Sequence, residues 1–260
     1  MNLEWNDNFL TADMSKKTVA ITGAAGGIGS AIATMFAQNG ARLFLMDRKE
    51  GSLCELAESC RKYGVQVTVH IADLAEPGEP ERAARACKKI CSGTSTVLIN
   101  NAAVGGGGLL HTTPEEWDST MQVNVRMPFL LSQAFASSIM IPDGGGVILN
   151  MSSQTGVVAL DEQGVYGISK AAMMAMTRAI AYEWSKYGIR SVAVAPTVVE
   201  TAFALGYWHG ETAERHRSQI PAGRFGKPWE IAAACLYLAS DAAGLVDGTN
   251  LMLDGGYTIQ

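Results

Sequence analysis

The sequence predicts an α/β fold: a single doubly wound domain on a seven-stranded parallel sheet, with a lid. Three observations lead there. Short apolar runs alternate with helix-like stretches from residue 18 to the end, the pattern of a parallel sheet covered by helices. Runs such as "TVAIT" and "TVLIN" are apolar throughout, as strands are when both faces are covered. No repeat, heptad or second composition interrupts the 260 residues, whose 48% hydrophobic and 17% charged content supplies one core and argues against disorder.

The strands are expected, in order, at "TVAIT" (18–22), "RLFLMD" (42–47), "VQVTVHI" (65–71), "TVLIN" (96–100), "GGVILNM" (145–151), "RSVAVA" (190–195) and "NLMLD" (250–254). Between them lie Ala-rich or amphipathic stretches at 29–40, 81–93, 115–140 and 229–240, several closed by the glycine that a helix C-terminus favours. "GGGG" at 105–108 reads as a flexible loop, and 197–227 is too long and too mixed for a plain connection, so it is taken as the lid.

Charge and cysteine usage exclude several functions. A net charge of −5 with scattered Lys and Arg offers no stripe for a phosphate backbone, so nucleic acid is not an expected partner. The five cysteines are odd in number and lack a CxxC, which suits reduced thiols in the cytoplasm. Cys87 and Cys91 share a helix face, but two ligands do not complete a metal site, and His70 and His111 have no spacing rule with them. The first seventeen residues lack the charged start and apolar run of an export signal, and no run has transmembrane length.

Chemistry-bearing residues gather at expected strand ends. In "ITGAAGGIGSAIA", Gly23, Gly27 and Gly29, with Ile28 between them, let backbone approach a diphosphate at a helix N-terminus. The spacing GxxxGxG is not GxGxxG, and a plain Gly-rich turn is the ordinary alternative. Asp47 closes the second strand, where an acid meets ribose hydroxyls and repels a 2′-phosphate; this favours NAD, while Arg48 beside it would help to admit NADP. Asp73 ends the third strand and "INNAAV" the fourth; singly each is as readily a turn residue.

Tyr166 and Lys170 stand at i and i+4 and share a helix face. A free tyrosine titrates near ~10, and an adjacent cation lowers this by ~1 to 3 pH units, towards a general-base range. Ser153, thirteen residues earlier, follows an apolar strand and can hydrogen-bond a substrate oxygen. Asn124 is a further polar candidate, with backbone bonding as its ordinary alternative. YxxxK alone is a frequent surface pair.

Taken in order, "TGAAGGIG" (22–29), "NNAA" (100–103), Asn124, Ser153, "YGISK" (166–170), "APTVVET" (195–201) and "DGG" (254–256) make the chain resemble the short-chain dehydrogenase/reductase family from Lys17 to Tyr257. The resemblance implies a single Rossmann-like domain with a substrate lid, a tyrosine acid/base, a lysine that lowers its pKa and holds the nicotinamide ribose, a serine that orients the reacting oxygen, and Asn124 supporting the lysine through a water. It further implies that Thr201 and the Val199 backbone hold the carboxamide, Asp47 the adenosine ribose, Asp73 and Leu74 the adenine, and that Asn101 lines the cofactor cleft. Ala103 and Thr197 stand where the family usually has Gly, close to the cofactor. A homotetramer is also implied, with the Ala and Met faces of the helix after Tyr166 available to pack on a partner.

The expected function is therefore NAD-dependent interconversion of a secondary alcohol and a ketone. Trp208, His209, Glu211, Arg215 and His216 in the lid, with Asp161, Glu162 and Gln163 before Tyr166, suit a polyol or sugar, although a solvated helix is the usual fate of such charges. The short tail and the N-terminal extension resemble polyol dehydrogenases of the family. The alternatives are a 3-oxoacyl thioester reductase and a catalytically inactive NAD-binding regulator.

Overall fold

The computed structural model describes residues 12–259, so the reading of the first eleven residues as lacking an export signal and as a polyol-dehydrogenase-like extension lies outside the described residues. The strands are β1 (Lys17–Thr22), β2 (Arg42–Asp47), β3 (Val67–Ile71), β4 (Ser95–Asn100), β5 (Gly146–Met151), β6 (Ile189–Pro196) and β7 (Asn250–Leu253). They form one seven-stranded sheet in the order β3-β2-β1-β4-β5-β6-β7, every pair parallel. All seven fall at the expected runs; β3 begins two residues later, at Val67.

Alternation along the strands feeds two layers. Val19, Ile21, Leu43, Leu45, Val97, Ile99, Val147 and Leu149 point into one core, against α1 (Gly27–Gln38), α2 (Glu50–Arg61) and α9 (Pro228–Ala239). Ala20, Phe44, Met46, Leu98 and Ile148 point into the other, against α3 (Glu79–Lys88) and α5 (Met127–Phe135). A side-chain period of two on a sheet apolar on both faces needs helices on both sides, which is the doubly wound arrangement.

The expected long helix at 115–140 has structure within it. Thr113 and Glu116 form a reciprocal capping box, with bonds of 3.2 and 3.0 Å, that starts α4 (Pro114–Met121). A π-turn over Gln122–Arg126 joins α4 to α5, and a second follows over Ala136–Met140. The first widens the helix at Asn124 and turns that side chain inward, where it is fully buried. Further along come α6 (Gly164–Trp184) and, inside the 197–227 segment, α7 (Ala202–Tyr207) and α8 (Gly210–Ser218).

All five cysteines are free; Cys54 is exposed and the rest are buried, with the Cys87 and Cys91 sulfurs 3.7 Å apart. Among the described residues no cluster of three or more His, Cys, Asp or Glu could hold a metal, and no helix is long and apolar enough to cross a membrane.

Candidate active site

Parallel strands all end on the same edge, and the expected residues meet there. The turn after β1 is built from missing side chains. Gly23 has φ +61°, and a Cβ on it would sit 2.9 Å from the Ala102 Cα. A Cβ on Gly29 would run into the Gly23 carbonyl oxygen, and one on Gly27 would lie 2.6 Å from the Thr201 methyl. No side chain caps the α1 N-terminus at Gly26 and no acid lies in its first turn, so the turn presents backbone amides to an anion. Ile28 packs sideways on the first core layer.

Asn101 braces this turn. Its amide nitrogen donates to the carbonyls of Thr22 (3.0 Å) and Gly23 (3.1 Å), while Thr22 Oγ1 accepts the Asn101 and Ala102 amides at 2.9 and 3.0 Å. Asp47, at the end of β2, accepts the Ala25 and Lys49 amides at 3.0 Å each and has no ion-pair partner among the described residues. Asp73 is exposed and accepts the Ala75 amide at 2.9 Å; Leu74 packs on the second core layer. The neighbouring Ala72 amide donates to the Asp47 carbonyl, which places both acids on one edge.

The other end of the edge is built from side chains, with Lys170 buried and Ser153 and Tyr166 partly exposed. Ser153 caps a 3₁₀ turn over Gln154–Gly156, its Oγ accepting the Thr155 amide at 3.2 Å, and its hydroxyl lies close enough to the Tyr166 phenol to lower it. Lys170, 1% exposed, donates from Nζ to the Met151 carbonyl at 2.8 Å and lies 5.3 Å from the centre of the Tyr166 ring. Ser152 Oγ donates to the Lys170 carbonyl at 2.9 Å.

The sequence led us to expect a lysine cation that lowers the tyrosine. Instead burial dominates both: it pushes the Tyr166 phenol up to about 12, against the lowering effect of the Ser153 hydrogen bond, and pulls Lys170 down to about 7. A desolvated recess penalises either charge alone, which moves both groups towards their neutral forms. A phenol, a hydroxyl and an amine in one dry recess can exchange a proton with an oxygen bound between them.

Asn124 does not touch Lys170. Its amide nitrogen donates to the Val104 carbonyl (2.9 Å) and Ser169 Oγ (3.0 Å), and its oxygen accepts the Val104 amide (2.9 Å), so it ties the loop after β4 to α6. Ser169 Oγ in turn donates to the Tyr166 carbonyl at 2.7 Å.

Sequence reasoning missed a buried polar ladder under this end. Asn100 donates to Asn150 (2.8 Å) and Ser132 (3.0 Å), and Asn150 donates to Thr177 (2.9 Å). Thr177 lies on the α6 stripe of Tyr166, Lys170 and Met173, so the ladder fixes the helix that carries the pair. The available signal was an asparagine at the end of β4 and another one residue before the end of β5, each after an apolar run.

The 105–108 loop is packed rather than free. A Cβ on Gly106 would sit 3.0 Å from the Tyr166 amide nitrogen, and one on Gly108 would sit 2.6 Å from the Glu162 carboxylate. Phe203 and Tyr207 of α7 reach over Gly105. Thr201 caps α7, accepting the Ala204 amide at 3.2 Å, and its own amide donates to the Val199 carbonyl at 2.7 Å. Of the 197–227 residues expected to face a substrate, His209, Glu211 and Arg215 are exposed, Trp208 is half-buried and His216 is buried. Glu162 is exposed and has φ 55°, the left-handed region, and Thr197 Oγ1 is buried without a partner.

Residues 23–258 match a family described as enoyl-(acyl carrier protein) reductase. The chain is 40% identical to an NAD-dependent glycerol dehydrogenase of Listeria innocua serovar 6a, over 95% of this chain and 96% of that one. It is 37% identical to a D-threitol dehydrogenase of Mycolicibacterium smegmatis, over 94% of each. A solved double-substitution variant of a Serratia marcescens short-chain dehydrogenase/reductase superposes with a TM-score of 0.88 at 28% identity, covering 95% of this chain and all of that one. The chain belongs to the short-chain dehydrogenase/reductase family.

Proposed function

We propose that the protein is an NAD-dependent dehydrogenase that oxidises a secondary alcohol of a polyol or sugar alcohol to the ketone. The observation that carries this reading is the contact of Ser153, Tyr166 and Lys170 in one desolvated recess, on the sheet edge that also holds the uncapped glycine turn.

A dinucleotide fits the cradle. Gly23, Gly27, Ile28 and Gly29 would meet the diphosphate with backbone, and Asp47 would accept from the adenosine ribose. Asp73 and Leu74 would hold the adenine, Val199 and Thr201 the carboxamide, while Asn101 keeps the turn in shape. Tyr166 and Lys170 would hold the nicotinamide ribose. When bound, the nicotinamide supplies the hydride acceptor. An unpaired Asp47 disfavours a 2′-phosphate, which makes NADP the poorer ligand.

Ser153 Oγ holds the carbinol oxygen, and Tyr166 Oη takes its proton as the phenolate, its own phenolic proton having first left to solvent. Lys170 Nζ, protonated beside the ring, gives the phenolate its counter-charge. Asn124 holds the 104 loop and α6 in register. The two dehydrogenase relatives act on polyols by their names, and the acids Asp161 and Glu162 with Gln163 offer acceptors for further hydroxyls beside Tyr166.

A substrate survey tests the reading: nicotinamide absorbance with NAD and NADP in parallel, over polyols, sugars, monohydric secondary alcohols and 3-oxoacyl thioesters. NADH formed from a polyol is the expected result. Turnover confined to thioester reduction with NADPH moves the protein to that class, and NADH binding without any turnover makes it a regulator.

The chain assembles as a homotetramer in this reading. Met173 and Met174, expected to face a partner, are buried in the chain; the outward stripe of α6 is instead Ala171, Ala175, Ala179 and Tyr182, and Tyr182 is 89% exposed. Sedimentation velocity checks the state. Five unpaired thiols suit the reducing cytoplasm. The 197–227 segment, carrying α7 and α8, serves as the lid of the one domain.

A further inference from the structure

We propose that His216 is a positioning residue, which ties α8 to the turn presenting Ser153 through a buried hydrogen bond with Gln154. The inference rests on the reading of Ser153 as the residue that orients the reacting oxygen.

α8 has two buried residues, Ala213 and His216, and only the histidine is polar. Its ring is 4% exposed, stacked on Trp208 (centroids 4.3 Å apart) and flanked by Tyr257 (4.8 Å) and Phe225 (6.2 Å). Its Nε2 lies 3.3 Å from Gln154 Nε2. Burial pulls the imidazole down, which keeps it neutral, and a neutral ring with its proton on Nδ1 accepts the Gln154 amide.

Gln154 is 1% exposed and immediately follows Ser153, whose backbone is extended (φ −162°, ψ 158°). Successive side chains of extended backbone point opposite ways, so one residue reaches Tyr166 and the next reaches α8. The 3₁₀ turn that follows is closed by the Gly156 amide on the Ser153 carbonyl (3.0 Å) and the Val157 amide on the Gln154 carbonyl (2.9 Å). Gln154 Oε1 is buried without a partner, a cost that an apolar residue of equal size would avoid. What the amide provides in return is direction: it sets the turn against α8, and thereby Ser153 against the segment over the cleft.

His216→Phe keeps a stacking ring and Gln154→Met keeps volume, so both variants fold; each removes the bond. Each is expected to lower kcat on the polyol about tenfold with NADH affinity unchanged, since a small misplacement of a positioned group costs rate rather than cofactor binding. The double variant should be no slower than the slower single, and His216→Gln should recover part of the loss. Hydrogen exchange gives a readout that does not need turnover: amides of Gly156 and Val157 exchange faster in His216→Phe, and those of α8 faster in Gln154→Met. Unchanged exchange at 156–157 in His216→Phe, or rate losses that multiply in the double variant, would overturn the proposal. If the parent oxidises no alcohol, the functional reading fails while the exchange measurement still decides the coupling.

Discussion

The two ends of the site are made of different material. On the β1–α1–β2 side the surface is backbone: glycines without Cβ, free amides at the α1 N-terminus, and a carboxylate and an amide spent on shaping turns. On the β5–α6 side it is side chain: a phenol, an amine and a hydroxyl packed over a buried ladder of Asn and Thr. A backbone cradle binds by shape and is indifferent to proton balance. A side-chain recess does chemistry because drying it shifts where protons sit. The two halves should therefore fail separately.

The largest effect should come from the side-chain end. Tyr166→Phe removes the acid/base and should cut turnover by roughly 10²- to 10⁴-fold, while NADH fluorescence titration gives a Kd raised by much less, since Lys170 and the glycine turn still hold the cofactor. A normal rate in that variant would end the mechanism given above. Gly29→Ala tests the other half. Its methyl meets Ala24 Cα and Asn101 Nδ2 at 2.9 Å, overpacking of about 1–3 kcal/mol, so NADH affinity should fall about tenfold or more, and turnover at saturating cofactor much less.

Asp47→Ser sharpens the comparison within the cradle, since it removes the carboxylate at the end of β2 and keeps a hydroxyl that can still accept an amide of the turn. The NAD:NADP preference should narrow by about tenfold in paired kcat/KM measurements, with no change in the pH profile.

The smallest effect is on stability. Lys170 is pulled from 10.5 to about 7 on folding, so between those values the unfolded chain binds the extra proton and stability rises with pH. Tyr166, raised from 10.0 to about 12, opposes this only above about pH 10. Thermal melts of the cofactor-free protein should show Tm rising from about pH 7 to about pH 9, and Lys170→Met should flatten that rise. An equal slope in both proteins would mean that Lys170 keeps its proton in the recess.

Much of this was legible in the chain. Strand positions, the glycine turn, Asp47 and the Tyr166–Lys170 spacing each depend on residues near in sequence, and each appears at the expected edge. The sign of the proton shifts, the bracing role of Asn101 and Asn124, the packed 105–108 loop and the burial of His216 did not show. Each depends on what a distant segment places against the residue: Thr22 for Asn101, Ser169 for Asn124, Glu162 for Gly108 and Gln154 for His216.

The sequence by itself determined the alternation of strands and helices, hence the parallel sheet, and it fixed which side chains leave the strands at one edge, because side-chain period and strand direction are local properties. Only the tertiary structure decided which of those side chains face the cleft and which brace it. It also decided that Tyr166 is moved up and Lys170 down, because solvation and hydrogen-bond partners come from elements far apart in the chain that folding alone brings together.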